Sequence, residues 1–89
     1  MNNENLVSTA SLPPVTRTRS GVEFCPGDNV WQYREGVKTV CLRFDTLDVD
    51  ETLRHEAKRV LMWYAENTSP SHLVNSFSRF KHFAARIKP

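Results

Sequence analysis

The basic residues near the C-terminus are the most chemically distinctive group in this sequence of 89 residues. Residues 67–89 include Arg79, Lys81, Arg86 and Lys88, and this stretch contains no Asp or Glu. Cationic side chains without neighbouring carboxylates suit a polyanion, because each Lys or Arg that meets a phosphate releases condensed counterions. The formal net charge is only +2, so it is the uneven distribution of charge that favours a nucleic acid as partner.

The same stretch has the period of an amphipathic helix, which we expect to begin at Ser69 and Pro70 and to end near Arg86. At about 100° per residue, the apolar residues cluster on one side of this helix: Leu73, Phe77, Phe80, Ala84 and Ile87. The opposite side carries basic and short hydrogen-bonding side chains: Ser71, Asn75, Ser78, Arg79, His82 and Arg86. Such a mixture suits entry into a DNA groove, where Arg and Asn read base edges while Ser and His hold phosphates.

Residue types that could support catalysis or metal binding are present but poorly arranged. His55, His72 and His82 are candidates for acid–base work, yet no nucleophile can be placed beside them. Cys25 and Cys41 are the only cysteines, and their spacing matches no zinc site. We therefore expect two reduced, partly buried thiols, no cofactor and no metal site.

The N-terminal half predicts an arm followed by a β-hairpin. Residues 1–20 are rich in Asn, Ser, Thr and Pro, so we expect them to be a disordered arm ahead of a folded region spanning residues 21–89. Residues 30–44 alternate apolar and polar side chains around Glu35 and Gly36. This alternation with period two predicts a β-hairpin, whose apolar face must pack on another element.

Residues 50–67 predict the first of two antiparallel helices, which gives an α+β fold overall. Either Asp48 or Asp50 can cap this helix, and Asn67 suits a left-handed C-terminal position. Helical spacing predicts a buried stripe: Leu53, Ala57, Val60, Leu61 and Tyr64.

Three segments resemble the N-terminal core-binding domain of the tyrosine recombinases, the phage integrase family. Residues 68–83, TSPSHLVNSFSRFKHF, are similar to the helix of that domain with the pattern S-P-x-T-L-x-x-Y-x-x-x-L-x-x-F. Residues 57–66, AKRVLMWYAE, resemble its first helix, and residues 24–34 look like the extra hairpin of some bacterial, phage-like members. His72 stands where the family often has Thr, and Phe77 lies in the neighbourhood of the family's usual Tyr.

The resemblance implies a SAM-like helical domain that grips double-stranded DNA in the major groove during site-specific recombination and DNA integration. We expect a cytoplasmic protein without a membrane span that self-associates on DNA through the full-length protein. Charge and resemblance together give the expected DNA contacts: Ser71, His72, Asn75, Arg79, Lys81, His82, Arg86 and Lys88. Among them, Ser71, His72 and Asn75 are the candidates for contacts near base edges.

One further segment resembles the catalytic H-x-L-R-H box of the family. It is residues 51–57, ETLRHEA, in which Glu51 replaces the first His, and no tyrosine follows Tyr64 to act as nucleophile. We expect Arg54 and His55 to be solvent-exposed. This chain is therefore expected to bind DNA without being an enzyme, while a tyrosine in a separate domain of the parent protein performs strand exchange.

Two other functions fit the same residues. The first is a protein-interaction module with an apolar docking patch: Trp31, Met62, Trp63 and Phe83. The second is a stand-alone nucleic-acid-binding regulator without a recombinase parent.

Overall fold

Within residues 12–87, four short β-strands precede two α-helices, which confirms the α+β layout. The computed structural model describes residues 12–87; expectations for residues 1–11 and for Lys88 lie outside the described residues. The elements are β1 (Thr16–Arg17), β2 (Glu23–Phe24), β3 (Val30–Glu35), β4 (Lys38–Arg43), α1 (Glu51–Asn67) and α2 (Pro70–Arg86). A 3-10 helix, Phe44–Thr46, follows β4.

Strands β3 and β4 form the predicted hairpin. They pair antiparallel with Glu35 opposite Lys38, so that Gly36 and Val37 form a two-residue loop. Gly36 has a φ of +63°, a conformation that such loops require and that glycine adopts without steric cost. One side of the hairpin and the residue that follows it are buried: Trp31, Tyr33, Val40, Leu42 and Phe44.

A second, smaller hairpin begins in the region expected to be a disordered arm. Strand β1 pairs antiparallel with β2. Between them, the backbone N–H of Thr18 donates to the carbonyl of Val22 at 2.8 Å. Gly21 supports the reversal of the chain with a φ of +96°.

This hairpin is anchored to α1 by residues that are distant in the sequence. The backbone N–H of Arg19 donates to the carbonyl of Ala65 at 3.1 Å, and the hydroxyl of Thr16 donates to the carboxylate of Glu66. The prediction of disorder is therefore wrong for residues 16–20, because tertiary hydrogen bonds supply the stabilisation that their few apolar side chains lack.

Both helices begin at the predicted caps. The carboxylate of Asp50 accepts a hydrogen bond from the N–H of Leu53 at 2.8 Å. The hydroxyl of Ser69 accepts one from the N–H of His72 at 3.2 Å. Each cap satisfies a backbone donor that the first helical turn leaves unpaired.

The end and the rotation of α1 differ from the predictions. Asn67 is the last helical residue of α1 and Thr68 after it is extended, so the predicted left-handed conformation of Asn67 is wrong. The predicted buried stripe includes Val60, which is 56% exposed, and omits Lys58, which is 6% exposed. The cause is that the hairpins cover a side of α1 rotated away from the expected stripe: Ala57, Lys58, Leu61 and Ala65.

Lys58 is buried because its ammonium group has partners. It donates to the carbonyl of Gly27 and to the side-chain oxygen of Asn29, both at 3.0 Å. It also lies 5.6 Å from the centre of the Phe44 ring, within range of a cation–π interaction. Desolvation by burial lowers the pKa of this lysine.

Aromatic rings join the hairpins to α2. The ring of Trp31 lies 4.8 Å from those of Phe24 and Phe44, and Phe44 meets Phe77 of α2 at 5.2 Å. The indole N–H of Trp31 donates to the carbonyl of Pro26 at 3.1 Å. Trp31 is therefore a core residue, and its expected place in an exposed docking patch is wrong.

We predict that the Tyr33→Phe variant loses less stability in alkali than the wild type. Burial, followed by the nearby carboxylate of Glu35, raises the pKa of Tyr33 from 10.0 to about 12. As pH rises from 10 towards 12, the unfolded tyrosine ionises first, so the wild-type free energy of unfolding falls. Urea denaturation across this pH range measures the slope of the free energy of unfolding against pH.

The Tyr64→Phe variant is the matched control and should keep the wild-type slope, because Tyr33 is unchanged in it. At neutral pH the Tyr33→Phe substitution should cost little, since the buried Tyr33 hydroxyl has no hydrogen-bond partner among residues 12–87. Equal alkaline slopes for Tyr33→Phe and the wild type would contradict the prediction.

Candidate nucleic-acid interface

Helix α2 turns its polar side to solvent, as its periodicity predicts. Its buried residues are Leu73, Phe77 and Ala84. The expected DNA contacts within the described residues are all exposed: Ser71, His72, Asn75, Arg79, Lys81, His82 and Arg86. The helix is therefore oriented so that these side chains can reach a partner.

The cations of α2 take no part in the ion pairs of the described part of the chain. Arg79, Lys81 and Arg86 form no ion pair with any carboxylate among residues 12–87. Four other arginines do pair with Asp or Glu: Arg17, Arg43, Arg54 and Arg59. The difference follows from the sequence, since residues 67–89 contain no acidic side chain.

The exposed side chains of α2 divide into a centre and two flanks. We call the centre the outer face of α2: Ser71, Asn75, Ser78, His82 and Arg86. Arg79 lies on the flank that faces α1, where it borders a hollow between the helices. Lys81 borders a different hollow, beside residues 46–48. These two cations diverge by about 160° around the helix axis, given 3.6 residues per turn.

His72 does not share the outer face with Ser71 and Asn75. Its ring lies 5.5 Å from the ring of Tyr64, on the side of α2 that faces α1. Neighbouring helical residues point in different directions, so Ser71 and His72 diverge although both are exposed. Of the three expected contacts near base edges, the structure groups Ser71 with Asn75 and separates His72 from them.

Arg54 has a structural role, because it is hydrogen-bonded to the chain that precedes α1. The resemblance to a catalytic box did not predict this role. Its guanidinium donates to the carbonyl of Leu47 at 3.1 Å and forms an ion pair with Glu51 at 3.2 Å. Only 18% of its side chain is exposed, and His55 is half-buried. The expectation that both are solvent-exposed is wrong, because Arg54 secures the chain that leads into α1.

The cysteines and the acidic side chains form no metal centre in the described part of the chain. No group of three or more His, Cys, Asp or Glu residues there could hold a metal ion. Cys25 and Cys41 are free thiols. Both are exposed, so the expectation of partial burial is wrong.

Sequence reasoning missed one surface, the hollow between α1 and α2. It has a volume of about 380 Å³, and its apolar lining includes Leu53, Val60, Tyr64 and Phe80. The helical spacing of these residues predicts core positions instead. The signal that indicates this surface is the number of apolar residues on the two helices. One small hairpin layer can cover only one side of a helix pair, so some of these residues must stay uncovered.

Comparisons with protein-family models, curated proteins and solved structures found no match. The resemblance to recombinases therefore stays a prediction. Within residues 12–87, neither helix has the length and apolar character that crossing a membrane requires.

We predict that the Ser69→Ala variant is destabilised by about 1 kcal/mol, because it removes the side-chain cap of α2. The Ser78→Ala variant is the matched control, since Ser78 is exposed within the same helix. Urea denaturation followed by circular dichroism measures both. Equal stabilities for the two variants would show that the cap does not support the helix that carries the candidate site.

Proposed function

We propose that this chain is a duplex-DNA-binding module that lays α2 lengthwise in the major groove. The observation that carries the proposal is the exposed polar side of α2, whose cations Arg79, Lys81 and Arg86 have no carboxylate partner among residues 12–87. Such cations release counterions when they meet phosphates. A major groove about 12 Å wide admits a single helix of this kind.

The arrangement around α2 suits the two kinds of contact that such a helix makes. The outer face would meet the floor of the groove, where the amide of Asn75 is suited to pair with an adenine edge and Ser71 can bond to either strand. Arg79 and Lys81, on opposite flanks, would reach the phosphates on the two sides of the groove. Arg86 adds a contact at the C-terminal end of the helix.

We further propose that the module belongs to a site-specific tyrosine recombinase whose catalytic domain performs strand exchange. Support comes from the sequence resemblance: of the three segments that carry it, residues 57–66 lie within α1, and most of residues 68–83 lie within α2. A stand-alone DNA-binding regulator would use the same side of α2. An assay of strand exchange with the protein expressed from the complete coding sequence separates these two alternatives. Strand exchange supports the recombinase, and its absence supports the regulator.

We predict that the double variant Lys81→Gln/Arg86→Gln binds duplex DNA more weakly and with less salt dependence than the wild type. Each phosphate contact contributes about 0.9 to the slope of log affinity against log salt concentration. Loss of two contacts should therefore reduce the magnitude of the slope by roughly two. Fluorescence anisotropy with a labelled duplex, repeated over a series of salt concentrations, measures both quantities.

The matched control is Arg34→Gln, which removes an exposed arginine of the hairpin that forms no ion pair within residues 12–87. It should leave affinity and slope unchanged. The proposal fails if the wild type binds duplex DNA without salt dependence, or if Arg34→Gln and the double variant weaken binding equally.

A further inference from the structure

The helix pair has a second uncovered surface, on the side away from the hairpins. We call it the open helix face: Leu53, Val60, Trp63, Phe80 and Phe83, with Glu56 and Arg79. Its apolar side chains include Val60 and Trp63, each 56% exposed, and Phe83, which is 53% exposed. Large apolar residues grouped in this way mark an interaction surface more often than an ordinary protein surface.

Two opposite charges border the hollow in this face. Glu56 projects from α1 and Arg79 from α2, and both line the same hollow. Arg79 has no ion-pair partner within residues 12–87. Among the described residues, Glu56 forms an ion pair with Arg59 of its own helix, at 3.4 Å and exposed to solvent, which contributes little to stability. Both charges can therefore pair with another molecule.

We propose that the open helix face is the interface of a homodimer whose two-fold axis runs along the hollow between α1 and α2. A rotation by 180° about this axis places α1 of one subunit against α2 of the other. The rotation does not change the position of a residue along the axis. Glu56 of one subunit then meets the partner's Arg79, and the same pair forms a second time by symmetry.

The apolar residues support a second copy as the occupant. The same rotation lays the α1 residues Leu53 and Val60 over the α2 side of the partner's open helix face, which carries aromatic rings. Removal of this apolar surface from water stabilises the association. A partner without a carboxylate at the level of Arg79 would leave this cation buried without a counter-charge, which is costly. A second copy supplies that carboxylate.

Arg79 is shared with the proposed DNA contacts, where it reaches phosphates on one flank of α2, whereas Glu56 takes no part in them. The outer face of α2 lies on a different side of the helix from the open helix face. Substitution of Glu56 therefore tests the dimer without removing a proposed DNA contact, and the Lys81→Gln/Arg86→Gln variant tests DNA binding without changing the proposed dimer contact.

We expect the wild type to approach twice its monomer mass as its concentration rises in sedimentation equilibrium. Glu56→Arg and Arg79→Glu each place like charges together at both contacts of the dimer. Each variant alone should therefore raise the dissociation constant about tenfold or more. An equimolar mixture of the two should restore association, because both contacts of the heterodimer then join opposite charges. In one contact the two introduced side chains meet, and in the other the native Glu56 meets the native Arg79.

Lys38→Glu, a charge reversal at the exposed tip of the hairpin, is the matched control and should dimerise like the wild type. Circular dichroism verifies that the single variants are folded, and Val60→Asp supplies an independent disruption at an exposed position. A wild type that stays monomeric at every concentration overturns the proposal, as does a mixture that associates no better than its components. Loss of association in Lys38→Glu as well would equally contradict this interface.

Discussion

The contact of Phe44 with Trp31 and Phe77 is the interaction on which the arrangement of the two layers depends. Phe44 has no exposed surface, and its ring lies 4.8 Å from that of Trp31 and 5.2 Å from that of Phe77. Truncating a buried aromatic residue of this kind typically costs about 3–5 kcal/mol, while a small domain has only about 5 kcal/mol or slightly more in total. Because Phe77 belongs to α2, this contact also determines which side of α2 faces solvent.

A layer as small as the two hairpins can cover only one side of the helix pair. The side of α2 opposite the core therefore stays in water, and the side away from the hairpins stays uncovered. The two surfaces differ in chemistry, because Arg86 and Asn75 belong to the outer face of α2, whereas Val60 and Phe83 belong to the open helix face. Arg79 lies at the border between them. The structure thus offers one surface suited to a polyanion and another suited to an apolar partner.

Local patterns predicted the elements better than their mutual arrangement. The alternation in β3 and β4, the caps Asp50 and Ser69, and the polar side of α2 follow from short-range spacing, so they were predicted correctly. The small hairpin was missed because it is held by a bond between Arg19 and Ala65, which no local pattern indicates. The burial of Lys58 instead of Val60 was missed for the same reason, since Gly27 and Asn29 supply its partners. In the candidate site, periodicity gave the exposed side of α2, but the position of His72 depends on its contact with Tyr64.

We propose above all that the outer face of α2 is the surface that meets DNA. The most direct test of this proposal is to titrate the isotopically labelled protein with a short DNA duplex and to monitor the chemical shifts of its backbone amides by NMR. We expect the largest shifts at Ser71, Asn75, His82 and Arg86, while the amides of Gln32 and Thr39 on the exposed side of the hairpin stay unchanged. Shifts confined to β3 and β4, with α2 unmoved, would contradict it.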